Sequence, residues 1–345
     1  MQSCREVLDT LELGTGENAS LIMARYIKNL DDKNDSKRDL FTAMTKAASN
    51  AQDLYSLAFR TRHDALAMTA TPGYFRTIQA LAAGLGNSNV IETGLALNPT
   101  YGVPMLPASS IKGVTAHYCA EVFGPADSRF RGPDDDGTAG EIYEALFGKT
   151  SPEGEQEAGL LRFYDAWIMP ECVRNAFVLD VMTPHHGSDF TDPIPVNFLT
   201  VSGDFELWIG CLDFEADRKW ADFAFGLTEA ALKNYGIGGK IRAGYGKMER
   251  ILSPEELQRR AREKKHTENV EAGFMFSEGD EVEAVCVKVK IHKGKEKREF
   301  SFKDGNGDKN AVRFEPTPKI GEGDSVMARI IRIDTKNKAY ILQAI

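Results

Sequence analysis

The chain has 345 residues, 42% of them hydrophobic and 27% charged, which excludes disordered and collagen-like classes. A chain of this length hides roughly 75% of its unfolded surface, so it can build a large core without staples, and two domains are expected. The formal net charge of -9 excludes a uniformly basic coat, although nucleic-acid binding through local basic positions stays open.

The opening stretch, Met1 to Glu6, has no hydrophobic signal region, and no apolar run anywhere approaches the length of a membrane span. Cys4, Cys119, Cys172, Cys211 and Cys286 are scattered without a CxxC pair. They read as reduced thiols of a cytoplasmic protein with no membrane association, no structural zinc and no cofactor.

Residues 1–73 form a helical segment. Leu21, Ile22, Tyr26 and Ile27, then Leu40, Phe41, Met44, Leu54, Leu57 and Ala58, recur at three- and four-residue intervals, with a charged loop from Asp31 to Asp39 between them. From Tyr74 the texture changes to short β runs: Tyr74–Gly84, Val90–Leu97, Gly159–Ile168, Phe177–Met182, Val196–Ser202, Phe205–Phe214 and Lys247–Leu252. Helices from Ser109 to about Val122 and from Asp217 to Asn234 interrupt them. Strands grouped around two helices predict an α+β layout over 74–252, with helices on one face of an antiparallel sheet.

Ser253, Pro254 and Glu256 make a capping box that starts a basic helix running to about Lys265, and His266–Gly273 reads as a flexible linker. Residues 274–345 then show five short strands, Val282–Ile291, Arg298–Phe302, Ala311–Phe314, Ser325–Ile333 and Ala339–Leu342, which fit a small OB-like β-barrel. This segment holds 14 Lys and Arg against 12 Asp and Glu, leaving 28 against 39 in residues 1–273. Val282, Ala284, Val285, Val287 and Val289 supply an apolar side to its first strand, while Lys288, Lys290, Lys293, Lys295, Lys297 and Arg298 crowd the first hairpin. Phe300 and Phe302 fit either the interior or a stacking surface beside those lysines, and the filling that a small barrel needs favours the interior. The barrel is expected to be an accessory module whose removal leaves a soluble core.

Three segments carry site chemistry. Gly236 to Gly246 places five glycines in eleven residues, with Lys240, Arg242 and Lys247 interspersed. It follows a helix and enters a strand, which fails the dinucleotide pattern but suits backbone N–H groups and cations facing phosphates. The alternative is a tight helix-to-strand turn. Ser109, Ser110 and Lys112 sit at a helix N-terminus, where free N–H groups and hydroxyls can hold a phosphate, although serine there is also routine capping. Thr183-Pro184-His185-His186 leaves a strand and enters a loop. Neighbouring side chains on extended backbone point apart and no third ligand is suitably spaced, so His185 and His186 read as stacking or hydrogen-bonding groups rather than metal ligands.

Two apparent motifs fail. Gly148-Lys149-Thr150 ends like a P-loop, but Tyr143 stands where the first glycine belongs. Asp304, Asn306, Asp308 and Glu315 fall at calcium-loop positions, but Lys309 replaces the required glycine.

In this order, the serine–lysine helix start, the Thr-Pro-His loop and the late glycine-rich loop resemble the RAMP superfamily of CRISPR-associated proteins. The segments that carry the likeness run from Gly94-Leu95-Ala96-Leu97-Asn98 to Lys112-Gly113, through Gly159–Ala166, Leu179–His185 and Pro193–Val201, to Tyr235–Gly246. The combination is similar to the sixth-subunit type of the type III-B, or Cmr, effector complex. Ala108, Gly239 and His186 depart from the family pattern, the first two keeping the small size found there. The resemblance implies a ferredoxin-like, RNA-recognition-type core that binds CRISPR RNA, meets target RNA, packs on Cmr backbone and small subunits, and caps the filament toward the guide 3′ end without catalysis. It implies that Ser109, Ser110, Lys112, His185, His186, Gly238, Gly239, Lys240, Arg242, Gly244, Gly246 and Lys247 line the RNA. The contrasting expectation is a metal-independent endoribonuclease of the guide-processing kind, with His185 or His186 as general acid or base and His63 as a weaker candidate.

Overall fold

The structure is a computed structural model that describes residues 6, 10, 18–27, 35–87, 93–135, 137–150, 156–182, 196–292, 295–303 and 311–345. The chain divides into two compact units, Met1–Ile251 and Leu252–Ile345.

In the first unit, α1 (Ala19–Arg25), α2 (Asp35–Asn50) and α3 (Gln52–Leu66) precede strand β1 (Ala70–Thr77). Next come β2 (Met105–Leu106), α4 (Ala108–Phe123), α5 (Glu141–Phe147) and the short pair β3 (Lys149–Thr150) and β4 (Gln156–Glu157). Then follow β5 (Leu161–Phe163), β6 (Ala166–Ile168), the hairpin β7 (Phe177–Met182) and β8 (Val196–Val201), β9 (Asp204–Cys211), α6 (Phe214–Asn234) and β10 (Met248–Ile251).

The main sheet is antiparallel with order β10-β1-β9-β6-β2, and β5 also pairs with β9. Taking β5 and β6 together as one broken strand, the series β1, α4, β5/β6, β9, α6, β10 is the β-α-β-β-α-β pattern of a ferredoxin-like fold. The last strand lies beside the first, and the third lies between the first and second.

Every residue of β9 from Phe205 to Cys211 is buried, because helices cover both faces of the sheet. On one face Phe75 stacks on Phe225 of α6, with 6.2 Å between ring centroids. Gly73 leaves the space this ring needs, since a Cβ there would lie 2.1 Å from it. On the other face α3 sends Tyr55 into the core, where its hydroxyl donates to the Ile168 carbonyl at 2.6 Å. The two helices expected on one face, α4 and α6, pack together on that face, and the N-terminal helix α3 covers the other. The helices α1, α2 and α3 contribute buried residues to the same hydrophobic core as the sheet.

Two expected strands also change. The run beginning at Tyr74 leaves the sheet after Thr77, and Ile78–Leu85 becomes a support for neighbouring loops. Of the expected Val90–Leu97 strand, residues 90–92 lie outside the described residues, and Thr93–Leu97 is non-strand apart from a bridge between Leu97 and Pro104.

The second unit opens with α7 (Pro254–Glu271), started by the full Ser253/Glu256 capping box. The linker reading of His266–Gly273 is corrected, because the helix continues to Glu271 and is tied to the chain that follows. Lys265 pairs with Glu278 at 2.6 Å, and His266 Nδ1 meets the Ser277 hydroxyl at 2.5 Å. Beyond it, β11 (Glu281–His292), β12 (Lys295–Phe302), β13 (Ala311–Phe314), β14 (Ser325–Asp334) and β15 (Ala339–Ala344) close into a barrel of order β11-β12-β13-β15-β14.

Phe300 and Phe302 lie in the barrel core with Phe274, Phe314 and Tyr340. The apolar side assigned to β11 mixed even and odd positions, and a bulge between Cys286 and Lys288 explains why. Val282, Ala284 and Cys286 face inward before it and Val289 packs inward after it, while Val287 at the bulge is 48% exposed. Among the described residues no helix is long and apolar enough to cross a membrane.

Candidate nucleic-acid interface

The glycine-rich loop leaves α6 and folds back on the Ile78–Leu85 support. Gly238 has φ +90°, and a Cβ on it would lie 2.8 Å from the Ala82 carbonyl oxygen. Gly239 donates its N–H to that same oxygen at 2.8 Å. Gly246 has φ +80°, with room for no side chain, since a Cβ would lie 2.0 Å from the Ile237 oxygen. It donates to Ala80 at 3.1 Å and accepts from Ile237 at 2.9 Å. Gly244 closes the single turn Ile241–Ala243, donating to Ile241 at 3.0 Å.

The close approach these glycines allow is therefore taken up by the protein's own backbone, as a tight helix-to-strand turn requires. The turn nevertheless presents charge. Arg242 and Lys247 are exposed, and Lys240 holds a left-handed conformation with φ +56°. Neither Arg242 nor Lys247 forms an ion pair among the described residues, and the Lys240 ammonium lies 5.9 Å from the Phe198 ring centroid.

That ring belongs to the β7–β8 hairpin, which leads to the Thr-Pro-His loop. Tyr245 of the glycine-rich loop donates its hydroxyl to Asp180 of β7 at 2.6 Å, and its ring lies 6.1 Å from Phe198. The hydrogen bond to Asp180 holds the Tyr245 phenol above its usual range. Leu81 exchanges both backbone hydrogen bonds with Val201 of β8, at 2.7 and 2.8 Å, while Ala82 bridges Gly239. Two segments far apart in sequence are thus fastened to adjacent residues of one support. His185 and His186 themselves lie outside the described residues.

The third motif approaches the same end of the helical layer. Helices α4 and α6 run antiparallel, with the Thr115 and Thr228 hydroxyls 2.8 Å apart and Phe123, at the end of α4, packing on Phe223, near the start of α6, at 5.9 Å. The start of α4 consequently lies toward the C-terminal end of α6, from which the glycine-rich loop leaves. Ser109 and Ser110 are exposed, and Lys112 is half-buried without an ion pair among the described residues. The helix N-terminus is not open in full, because the Ala108 N–H already donates to the Asp165 carboxylate at 2.7 Å. From Ser109 and Lys112 a groove of about 1470 Å³ follows α4 past Ala116 to Tyr143 and Lys149.

Sequence reasoning missed Asp180, Phe198 and Tyr245. The available signal was Tyr245 itself, an aromatic set between two glycines. His63 is placed in a structural role. Its Nδ1–H donates to the fully buried Glu206 carboxylate at 2.5 Å, which also accepts from Trp208 Nε1 at 2.6 Å and from Tyr74 at 3.3 Å. Arg62 stands 3.6 Å from the same carboxylate and 4.7 Å over the Trp167 ring, and burial lowers its pKa. Among the described residues no group of three His, Cys, Asp or Glu is placed to hold a metal ion.

A sequence profile of the RAMP superfamily matches residues 74–249. The chain is 30% identical over 258 residues to the CRISPR system Cmr subunit Cmr6 of Pyrococcus furiosus, a match covering 59% of this chain and 75% of that protein. It is 27% identical over 132 residues to the Cmr6 subunit of Saccharolobus solfataricus, covering 37% of this chain and 38% of that protein. A chain in the cryo-EM structure of the Type III-B Cmr-beta bound to cognate target RNA matches with a TM-score of 0.42 and 21% identity, over 58% of this chain and 65% of that one. The crystal structure of Cmr6 from Pyrococcus furiosus matches with a TM-score of 0.33 and 28% identity, over 53% of this chain and 98% of that one.

Proposed function

The chain belongs to the RAMP superfamily as a Cmr6-type subunit, and from that premise we propose that it is a non-catalytic structural subunit holding CRISPR RNA in a type III-B interference complex. In this reading it caps the filament toward the guide 3′ end, against Cmr backbone and small subunits, with target RNA paired to the guide.

The observation that carries the reading is a set of cations left without carboxylate partners. Lys112, Arg242 and Lys247 form no ion pair among the described residues, and Lys240 rests beside an aromatic ring. They lie at one end of the helical layer, on a turn whose shape is fixed by Ala82 and whose flank is the β7–β8 hairpin. Such groups position a phosphate backbone without reading bases, as guides of varying sequence require. The surplus of 39 acidic over 28 basic residues in 1–273 opposes RNA approach, so the lone subunit binds weakly and gains affinity within its complex.

The test measures the binding of single-stranded RNA by the full chain across a salt series, with Lys112→Gln, Arg242→Gln and Lys247→Gln. Each lost contact is expected to lower the slope of log affinity against log salt by about 0.7. Unchanged slopes in all three folded variants would refute the site. Sustained cleavage of repeat RNA that disappears in His185→Ala and His186→Ala would instead establish the endoribonuclease reading.

A further inference from the structure

The barrel carries a second concentration of charge that the RAMP profile, which ends at residue 249, does not reach. Between Lys288 and Arg298 the sequence holds six Lys or Arg against the single acid Glu296. The strand geometry sorts them. After the bulge at Cys286/Lys288, Val289 turns to the core, which leaves Lys288 and Lys290 on the outer face of β11. On β12, Phe300 and Phe302 point inward, so Lys297 and Glu299 share that outer face.

The register sets Lys288 opposite Glu299 and Lys290 opposite Lys297. Lys290 bonds Glu299 at 2.7 Å, which leaves Lys288 and Lys297 without an ion pair among the described residues. Like charges facing each other across a ladder are destabilising, and a bound anion relieves them. On the same unit Lys303, Arg329 and Arg332 each pair with a carboxylate, on Glu283, Glu281 and Glu315, while Arg313, Lys319, Lys336 and Lys338 form no ion pair among the described residues.

We propose that the outer face of the β11–β12 hairpin, through Lys288, Lys290 and Lys297, is a binding site for the phosphate backbone of a single-stranded nucleic acid. This deepens the RNA-binding reading above and rests on it, adding a second point of attachment. Lys288 and Lys290 stand about 7 Å apart along their strand, a spacing that an extended chain of phosphates can follow. Base stacking has no part in the contact. All six aromatic residues of 252–345 are buried or half-buried, packed in or against the barrel core, so no aromatic platform lies beside the lysines. Affinity here comes from charge, depends steeply on salt and is indifferent to base composition.

The test uses the full chain with short labelled RNA and DNA strands of the same mixed sequence. Lys288→Gln/Lys290→Gln/Lys297→Gln is expected to lower the salt slope by about 2 and to weaken binding by about tenfold or more at low salt. Equal loss on both strands assigns the site to phosphate alone, and loss on RNA alone assigns it to an RNA strand. Glu299→Gln, which removes the one carboxylate among the three lysines, is expected to strengthen binding, and this arm decides the matter should the triple variant misfold. Unchanged binding by the triple variant alongside weakened binding by Arg242→Gln would overturn this site and leave the first reading standing. No change in either would remove both. Intact RNA binding with lost co-purification of partner subunits would make the face an acidic-protein surface and overturn the proposal.

Discussion

Lys240→Gly separates RNA binding from folding. Lys240 sits at φ +56° and ψ 29°, a left-handed conformation that costs a non-glycine residue about 1–2 kcal/mol. Glycine removes that strain but loses about 0.5–1 kcal/mol through the freedom of its unfolded backbone. The ammonium, 5.9 Å from the Phe198 centroid, contributes about 0.5–1 kcal/mol as an exposed cation–π pair, which is also lost. These terms nearly cancel, so stability should change by less than about 1 kcal/mol in urea denaturation. RNA binding should not cancel: one phosphate contact disappears, and the salt slope falls by about 0.7. Lys240→Ala serves as the contrast, because it loses the same charge while keeping the strained backbone, and it should be the less stable of the two. Full affinity and an unchanged slope in folded Lys240→Gly would refute the claim that this side chain faces phosphate.

Four further outcomes follow from the structure. Glu206→Ala should cost about 3–5 kcal/mol in chemical denaturation, since it strands the buried Arg62 and Trp208 donors, and Arg62→Met/Glu206→Leu should recover much of that loss. Tyr340→Phe should destabilise the barrel unit by about 1–3 kcal/mol in thermal melts, because the Met275 and Phe276 N–H groups lose the hydroxyl that accepts both. The Tyr245 phenol is raised in the folded state, so its bond to Asp180 is complete below the ordinary tyrosine pKa of about 10 and is lost as pH climbs through the higher folded value. Ultraviolet titration should show a late phenol that Tyr245→Phe removes. Cutting between Ile251 and Leu252 takes α7 away with the barrel and should leave residues 1–251 soluble and folded, with insolubility of that fragment counting against an accessory barrel.

The barrel was legible almost strand by strand, with Ala311–Phe314 recovered to the residue, because strands bounded by turn residues on a small core write an alternating pattern. Where that pattern broke, at Val287 and Val289, the cause was one extra residue in a bulge, and a bulge has no composition of its own, whereas Val285 is an apolar residue on the outward side of a regular alternation. The linker was misread for a related reason. His266–Glu271 has too few apolar residues to show a helical stripe, and what orders it is specific pairing of Lys265 and His266 with Glu278 and Ser277. The second helical layer, α3 on the far face, was not legible because helical periodicity shows that a helix has an apolar side but not which face of a sheet that side covers. Glu206 shows the same gap: an alternating strand would place it in solvent, and only α3 on the far face explains why it is buried.

The glycine-rich loop shows why a glycine-dense turn is plain in sequence while its mechanics are not. Five glycines with interspersed cations single out this segment in the sequence, but glycine reports only that something approaches closely. Here the approaching group is Ala82, not a ligand. A substitution such as Gly238→Val therefore perturbs the turn itself, at φ +90° and 2.8 Å from a carbonyl oxygen, and its effect on RNA would follow from lost shape. The chemistry that can meet RNA lies in side chains held out by that shape, at Arg242 and Lys247, and in the hairpin that Tyr245 fastens beside them. The glycines build the turn and the cations stand out from it, so substitutions that remove charge, and not those that add bulk, test the proposed RNA contact without disturbing the turn.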